Sequence, residues 1–240
     1  MKISRSLIAY MLAAVLALSA CAMAGCVKKT KPGPDPAPPE YFVEPGVLPG
    51  EQSIVRYALP LISKTAQTNG CTVQYPYICS AGMDLLNINM HSVFMEIADE
   101  MEVSGGRIGY SAEFNKYGLL SFLVTYFSDD GAVLGADTAN FDCDTGKRVF
   151  ISDCFGPGAS EAPAVLREIA ARVADINGYN VISDIPEVTD ASPFLFTFGG
   201  LYLVYREYEL TSDPGVLRIK VRCDEVASLI SDDGLLARVN

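Results

Sequence analysis

Seven of the chain's fourteen prolines fall between Pro32 and Pro49, and this stretch decides which part of the chain can fold. Proline lacks an N–H and fixes φ, so residues 28–50 can build neither helix nor sheet and extend as a semi-rigid spacer. At roughly 3 Å per residue the spacer reaches several nanometres. About 190 residues follow it, an ordinary size for one domain. Half of the chain is apolar, which supplies material for a core.

The segment before the spacer reads as a leader. Lys2 and Arg5 precede an uncharged apolar run over residues 7–27, long enough to cross a bilayer. Inside that run Leu18-Ser19-Ala20-Cys21 and Met23-Ala24-Gly25-Cys26 each place small residues before a cysteine. This pattern lets a lipoprotein signal peptidase cut and leaves the cysteine sulfur to carry lipid, so cleavage is favoured over a permanent span. Cys21 fits better because Leu18 stands at the third position before it. Cys26, closer to the polar Lys28-Lys29 stretch, stays open as the alternative. Diacylation gives the two chains that stable anchoring needs. The expected location is the cell membrane, lipid-anchored on its extracytoplasmic face. The expected organisation is a signal peptide over 1–20, a lipidated tether over 21–52, one domain over 53–232 and a tail over 233–240.

Net charge is −11, and loss of Lys2 and Arg5 with the leader takes it to about −13. This balance argues against nucleic-acid binding, which needs basic patches, and against an electrostatic grip on anionic lipid. It suits a basic partner, and it also serves solubility alone. The domain holds Cys71, Cys79, Cys143, Cys154 and Cys223. Their spacings do not match zinc ligation. Cys71/Cys79 and Cys143/Cys154 could form local bridges in an oxidising compartment, and buried free thiols are the other reading.

Patterning predicts strands over 53–64 and 72–78, then a helix over 84–103 with Leu86, Met90, Val93, Phe94, Ile97 and Met101 on one face. Hairpins follow over 107–127 and 138–151, turning at Asn115–Gly118 and Asp144–Gly146. A second helix opens at Ser160, with Pro163 in its first turn and Asn177-Gly178 at its stop. Strands over 194–198, 201–210 and 216–223 and a short helix over 224–230 complete the domain. The expected fold is α+β: an antiparallel β-sheet built from hairpins with two main helices packed on it.

Several segments resemble a known family. They are Tyr75-Pro76 ahead of a helix, the hairpin Tyr117-Gly118-Leu119-Leu120-Ser121-Phe122, and Asn140-Phe141-Asp142-Cys143-Asp144-Thr145-Gly146-Lys147-Arg148 followed by Ser152-Asp153-Cys154-Phe155. The last runs from Leu201 through Tyr208-Glu209-Leu210 and Gly215 to Ile219. In this order they are similar to the extracytoplasmic domain of the anti-sigma factor RsiV, a domain of unknown function that also precedes the catalytic domain of the deacetylase PdaC. The resemblance covers roughly residues 54–230. One loop departs from it: Asp130-Gly131-Ala132-Val133-Leu134 stands where the family often has Gly-Gly-Ala-His. The resemblance implies recognition at the cell surface, since RsiV binds lysozyme there. With six residues before the apolar run and ten after Ile230, the expectation is the recognition module alone, without a sigma-binding segment or a deacetylase domain.

Residue chemistry adds little to suggest catalysis. His91 is the one histidine, which makes a Ser-His-Asp triad improbable and a His-rich zinc site impossible; it reads as the flank of a helix. Asp142-x-Asp144-x-Gly146 echoes the start of a calcium loop but lacks its later ligands, and a hairpin turn explains it. No metal and no cofactor are expected. Tyr202, Tyr205 and Tyr208 fall in one predicted strand, with Tyr202 and Tyr208 on one face as candidate partner-binding residues. The expected function is a non-catalytic ligand-binding lipoprotein whose partner is a basic protein such as lysozyme or a cell-wall glycan. A peptidoglycan-acting enzyme, or an accessory subunit of a cell-wall deacetylase, is the alternative.

Overall fold

The computed structural model describes residues 58–100 and 105–240. The leader, the spacer, Cys21 and Cys26, and the expected start of the domain at residue 53 lie outside the described residues.

A turn sets the first hairpin. Asn69 and Gly70 both take positive φ, 48° and 78°, as a type I′ turn requires. They join β1 (Leu61–Thr68) to β2 (Cys71–Ile78) in unbroken register from Thr68↔Cys71 to Leu61↔Ile78. The strand thus lies later than 53–64, where weak alternation had placed it; Asn-Gly is the stronger signal.

Helix α1 (Asp84–Glu100) buries Leu86, Met90, Val93, Phe94 and Ile97 of the face its spacing predicts; Met101 and the expected end at residue 103 lie outside the described residues. Asn87 is buried with them. Its side chain accepts the Ile78 N–H and donates to the Ile78 carbonyl, each at 2.8 Å, pinning the helix to the end of β2. The helix carries the chain across to β3 (Arg107–Lys116), which pairs with β2 in parallel through Thr72↔Arg107 and Val73↔Ile108. A helical crossover returns a chain in its original direction, so one parallel pair interrupts an otherwise antiparallel sheet. The strands β4 (Leu119–Phe127), β5 (Val133–Asp142) and β6 (Lys147–Arg148) complete the order β1-β2-β3-β4-β5-β6. The sixth strand stops before residue 151 because Ile151 opens the short helix α2 (Ile151–Phe155), where the Asp153 carboxylate accepts the Phe150 N–H at 2.8 Å.

Helix α3 (Ala162–Ile176) follows, with proline in its first turn. A separate three-stranded sheet then forms from β7 (Phe194–Thr197), β8 (Gly200–Tyr205) and β9 (Leu217–Arg222). The α+β class is as expected, but each sheet has its own helix. Val73, Ile108, Phe122 and Phe141 pack with α1. Leu201, Leu203, Ile219 and Val221 pack with Leu166, Ile169 and Ala170 of α3.

Polar side chains join the two sheets. Ser121, Thr138 and Asn140 alternate with the core-facing Phe122, Ala139 and Phe141, so they leave the six-stranded sheet on the side away from α1. All three are buried. The Ser121 hydroxyl accepts the Phe196 N–H at 2.9 Å, Thr138 accepts the Phe194 N–H at 3.1 Å, and Asn140 donates to the Phe194 carbonyl at 2.7 Å. The outer edge of β7 is thereby hydrogen-bonded by side chains in place of a neighbouring strand. Two ion pairs reinforce the junction: Arg218 of β9 with Glu113 of β3 at 2.8 Å, and Arg206 with Asp137 of β5 at 2.7 Å.

Residues 233–240, expected as a tail, belong to the fold. Leu235, Leu236 and Val239 are buried in the core beneath α3, and the Val239 carbonyl accepts the Gly199 N–H at 2.8 Å. The five domain cysteines are free thiols, and all but Cys79 are buried. Cys71 and Cys79 flank an extended strand, about 25 Å apart at the usual rise, too far to bridge. Cys143 and Cys154 sit in different cores.

Replacing Asn140 with Ala strands the Phe194 carbonyl and removes the acceptor of the Ser121 hydroxyl. Chemical denaturation should show a loss of about 2–3 kcal/mol at unchanged m-value. Burial works against the Glu113 carboxylate, but hydrogen bonds from Arg218 and Ser111 outweigh it and hold the group below its ordinary 4.5. A depressed pKa stabilises the fold above 4.5, and that contribution disappears as pH falls through the folded value. Glu113→Gln should therefore flatten the acid limb of a stability–pH curve below about pH 5, while Glu113→Asp keeps most of it.

Candidate functional site

The site is built around the β5–β6 turn. Asp142 is buried, and its carboxylate accepts from the Arg238 guanidinium at 2.8 Å, the Thr145 hydroxyl at 2.8 Å and the Asp144 N–H at 3.2 Å. Arg238 also reaches Asp144 at 3.1 Å. The two carboxylates that echo a calcium loop thus converge on an internal guanidinium. Gly146 closes the turn at φ 69°. A Cβ there would lie 3.1 Å from the Leu86 nitrogen, so only glycine lets the turn rest on the start of α1. The Asn89 amide completes that contact by donating to the Gly146 carbonyl at 2.6 Å. Burial, with Asp142 and Asp144 beside it, pushes the Cys143 thiol up to about 12. Desolvation also raises the Asp144 carboxyl, against the pull of Arg238.

Beside this turn lies a groove of 790 Å³. Thr145, Lys147 and Arg148 form one wall, α2 and the Gly156–Ser160 loop the other, and the start of α3, Asp190, Asp233 and Leu235 close it. Asp153 spends one carboxylate oxygen on the Phe150 N–H, and Asp190 accepts the Ser152 N–H at 2.9 Å. Among the described residues Asp153, Asp190 and Asp233 form no ion pair, whereas Arg148 is neutralised by Glu96 at 3.3 Å. The groove therefore offers three carboxylates to a cationic group, against one wall cation, Lys147, outside an ion pair. Its volume lies within the range of ligand-binding clefts.

The residues that sequence reasoning singled out lie elsewhere. His91 packs edge-on against Tyr75, ring centroids 4.8 Å apart, and does not line the groove. Tyr202 is half-buried in β8 and pairs with Lys220 and Leu195. Tyr208 does not share its strand, because β8 ends at Tyr205. It occupies the following turn at φ 60°, 58% exposed, so the expected common face does not form. Tyr205 is buried, and burial with Glu209 nearby raises its phenol to about 12. Tyr205, rather than Tyr202 or Tyr208, lines a smaller cleft of 230 Å³.

The structure assembles an aromatic surface from two hairpin tips that were not expected together. Tyr117 and Phe198 meet edge-on at 6.2 Å, both over Phe114, and the Lys116 ammonium lies 4.8 Å from the Phe198 ring centroid. Tyr117-Gly118 is a type I′ pair with φ 57° and 74°, and a bulky residue at the first position there is unusual. The groove acids had a weaker signal: Asp153 falls in a quoted motif, and Gly156-Pro157-Gly158 marks a loop that turns tightly.

An α+β domain of a six-stranded and a three-stranded sheet, joined through buried polar side chains, is the class this architecture defines. The chain matches no protein-family model and no curated protein. Among solved structures it is similar to a DUF3298 family member from Bacteroides fragilis, with a TM-score of 0.51 and 14% identity over 75% of this chain and 95% of that one. It is also similar to a DUF3298 family protein from Pseudomonas aeruginosa, with a TM-score of 0.50 and 14% identity over 74% of this chain and 97% of that one. At this identity the likeness is one of fold, and it is consistent with a domain of unknown function.

Truncating Arg238 to Ala would leave the buried Asp142 carboxylate without its counter-ion. The expected cost is about 2–4 kcal/mol in a denaturation experiment. Both acids are met by the one Nη1 nitrogen, so Arg238→Lys, which keeps a cation there, should recover part of the loss.

Proposed function

We propose that this chain is a non-catalytic lipoprotein of the extracytoplasmic membrane face, held there through Cys21 or Cys26, whose domain captures a basic protein such as lysozyme. The observation that carries this reading is the acidic groove: Asp153, Asp190 and Asp233 line it with no ion pair among the described residues, in a chain of net charge −11. The RsiV-type motifs support the same direction, since that family's outer domain recognises lysozyme. The groups best suited to catalysis have other duties. His91 packs on Tyr75, while Asp142 and Asp144 hold Arg238.

Titration with lysozyme at low and at raised salt tests the partner. Saturable binding is expected at low salt, weakening at least about tenfold once ionic strength reaches a few tenths molar. Asp190→Asn and Asp233→Asn should each weaken it further. Absence of saturable binding at low salt removes lysozyme as the partner. The groove also motivates the second reading, action on peptidoglycan. Turnover of muropeptides that vanishes in Asp153→Asn or Asp190→Asn would overturn the non-catalytic assignment.

A further inference from the structure

The outer edge of β1 is the least protected strand edge in the fold. Among the described residues no strand pairs with it. The other edges are blunted: β6 has two residues, β7 is bonded by side chains, and β9 alternates Arg218, Lys220 and Arg222. By contrast β1 runs for eight residues without proline or bulge, exposed on both faces. Its one charge, Lys64, sits 3.1 Å from the centroid of the Tyr77 ring. Proteins normally guard such edges, because their unpaired N–H and C=O groups template another strand.

The directions of those groups follow from the turn. A two-residue hairpin makes Thr68↔Cys71 a hydrogen-bonded pair, and alternation then assigns Ile62, Lys64 and Ala66 to β2. Leu61, Ser63, Thr65 and Gln67 consequently present their N–H and C=O groups outward. Charge selects the occupant. Residues 61–78 contain no aspartate or glutamate, in a chain with 29 acidic residues, so two copies can meet here without the repulsion that acts elsewhere.

We propose that β1 is a self-pairing edge, joining two copies of this chain antiparallel about a twofold axis centred on Thr65. That register sets Thr65 against its own copy, Ser63 against Gln67, Lys64 against Ala66 and Ile62 against Thr68. It pairs threonine with threonine, a favourable cross-strand match, and keeps the two Lys64 ammoniums from facing each other. A twofold contact of this kind is closed and stops at the dimer. The buried area is that of a single strand pair, which makes the dimer a weak one.

Sedimentation equilibrium of the full chain in a density-matched detergent tests this. The parent should show a concentration-dependent monomer–dimer equilibrium. Thr65→Pro removes an outward N–H that makes no bond within the monomer. Thr65→Lys instead sets two ammoniums opposite each other at the axis and leaves the backbone untouched, so it reads the interface even where the proline variant misfolds. Each should weaken dimerisation at least about tenfold at an unchanged thermal midpoint. In the parent, amide exchange at Ser63, Thr65 and Gln67 should slow as concentration rises. The proposal is overturned by a parent that stays monomeric to ~100 μM, or by folded variants that dimerise as the parent does. It is overturned equally by protection of those three amides at every concentration in a monomer, which would mean that another segment of the chain covers the edge.

Discussion

The structure depends on how β7 meets the six-stranded sheet. A buried strand edge is costly unless each N–H and C=O finds a partner. Here Ser121, Thr138 and Asn140 supply partners to Phe194 and Phe196. These bonds have directions, so they fix where along β4 and β5 the second sheet sits, which a purely apolar contact would leave freer to slide. Asn140 is central because it bonds twice: its side-chain oxygen accepts the Ser121 hydroxyl at 2.5 Å while its nitrogen donates to β7. Two apolar cores, one under α1 and one under α3, thus share a polar seam.

The segment from Asn140 to Lys147 links that seam to the groove. Asn140 points to the second sheet, Asp142 to the C-terminal Arg238, and Gly146 to the start of α1. Three regions distant in sequence converge on a stretch shorter than three turns of helix. Arg238 comes with Leu235, Leu236 and Val239, so the ion pair with Asp142, together with the Gly199–Val239 hydrogen bond, orients an apolar anchor. The same C-terminal turn brings Asp233 and Leu235 to the groove. Stability of the junction and shape of the groove are therefore coupled through one carboxylate.

Local periodicity made α1, α3 and the β3–β4 hairpin legible, because each buries a full face and its spacing repeats several times. The Asn140–Lys147 stretch was legible as a motif but not as a set of roles, since every partner of its side chains lies far away in sequence. Asn69-Gly70 carried a plain hairpin signal that weak alternation upstream obscured. Tyr208 failed for a different reason. Its parity with Tyr202 assumed a continuous strand, and β8 turns away at Arg206, whose N–H is taken by the Glu209 side chain at 2.7 Å. Residues 233–240 hold too few apolar positions to show a period, and only their fit into the α3 core reveals their place. The groove acids belong to separate segments, Asp153 in α2 and Asp190 and Asp233 outside the helices and strands, so no spacing rule could group them.

The distribution of arginine explains why the groove is acidic. The described residues contain eight arginines. Six make ion pairs: Arg148, Arg172, Arg206, Arg218, Arg222 and Arg238. Arg107 lies 4.1 Å from the centroid of the Phe127 ring, and Arg167 donates to the Ile185 carbonyl at 2.8 Å. Every guanidinium among the described residues is thus engaged within the fold, and three of them, on Asp137, Glu113 and Asp142, tie separate parts of it together. An excess of carboxylates remains for the surface, where solvation is cheap. Residues 61–78, which carry no acid, contain the long open strand edge of the described residues. Internal use of arginine thus leaves two kinds of surface on one domain: an acidic groove beside the β5–β6 turn, and a nearly neutral strand edge at β1.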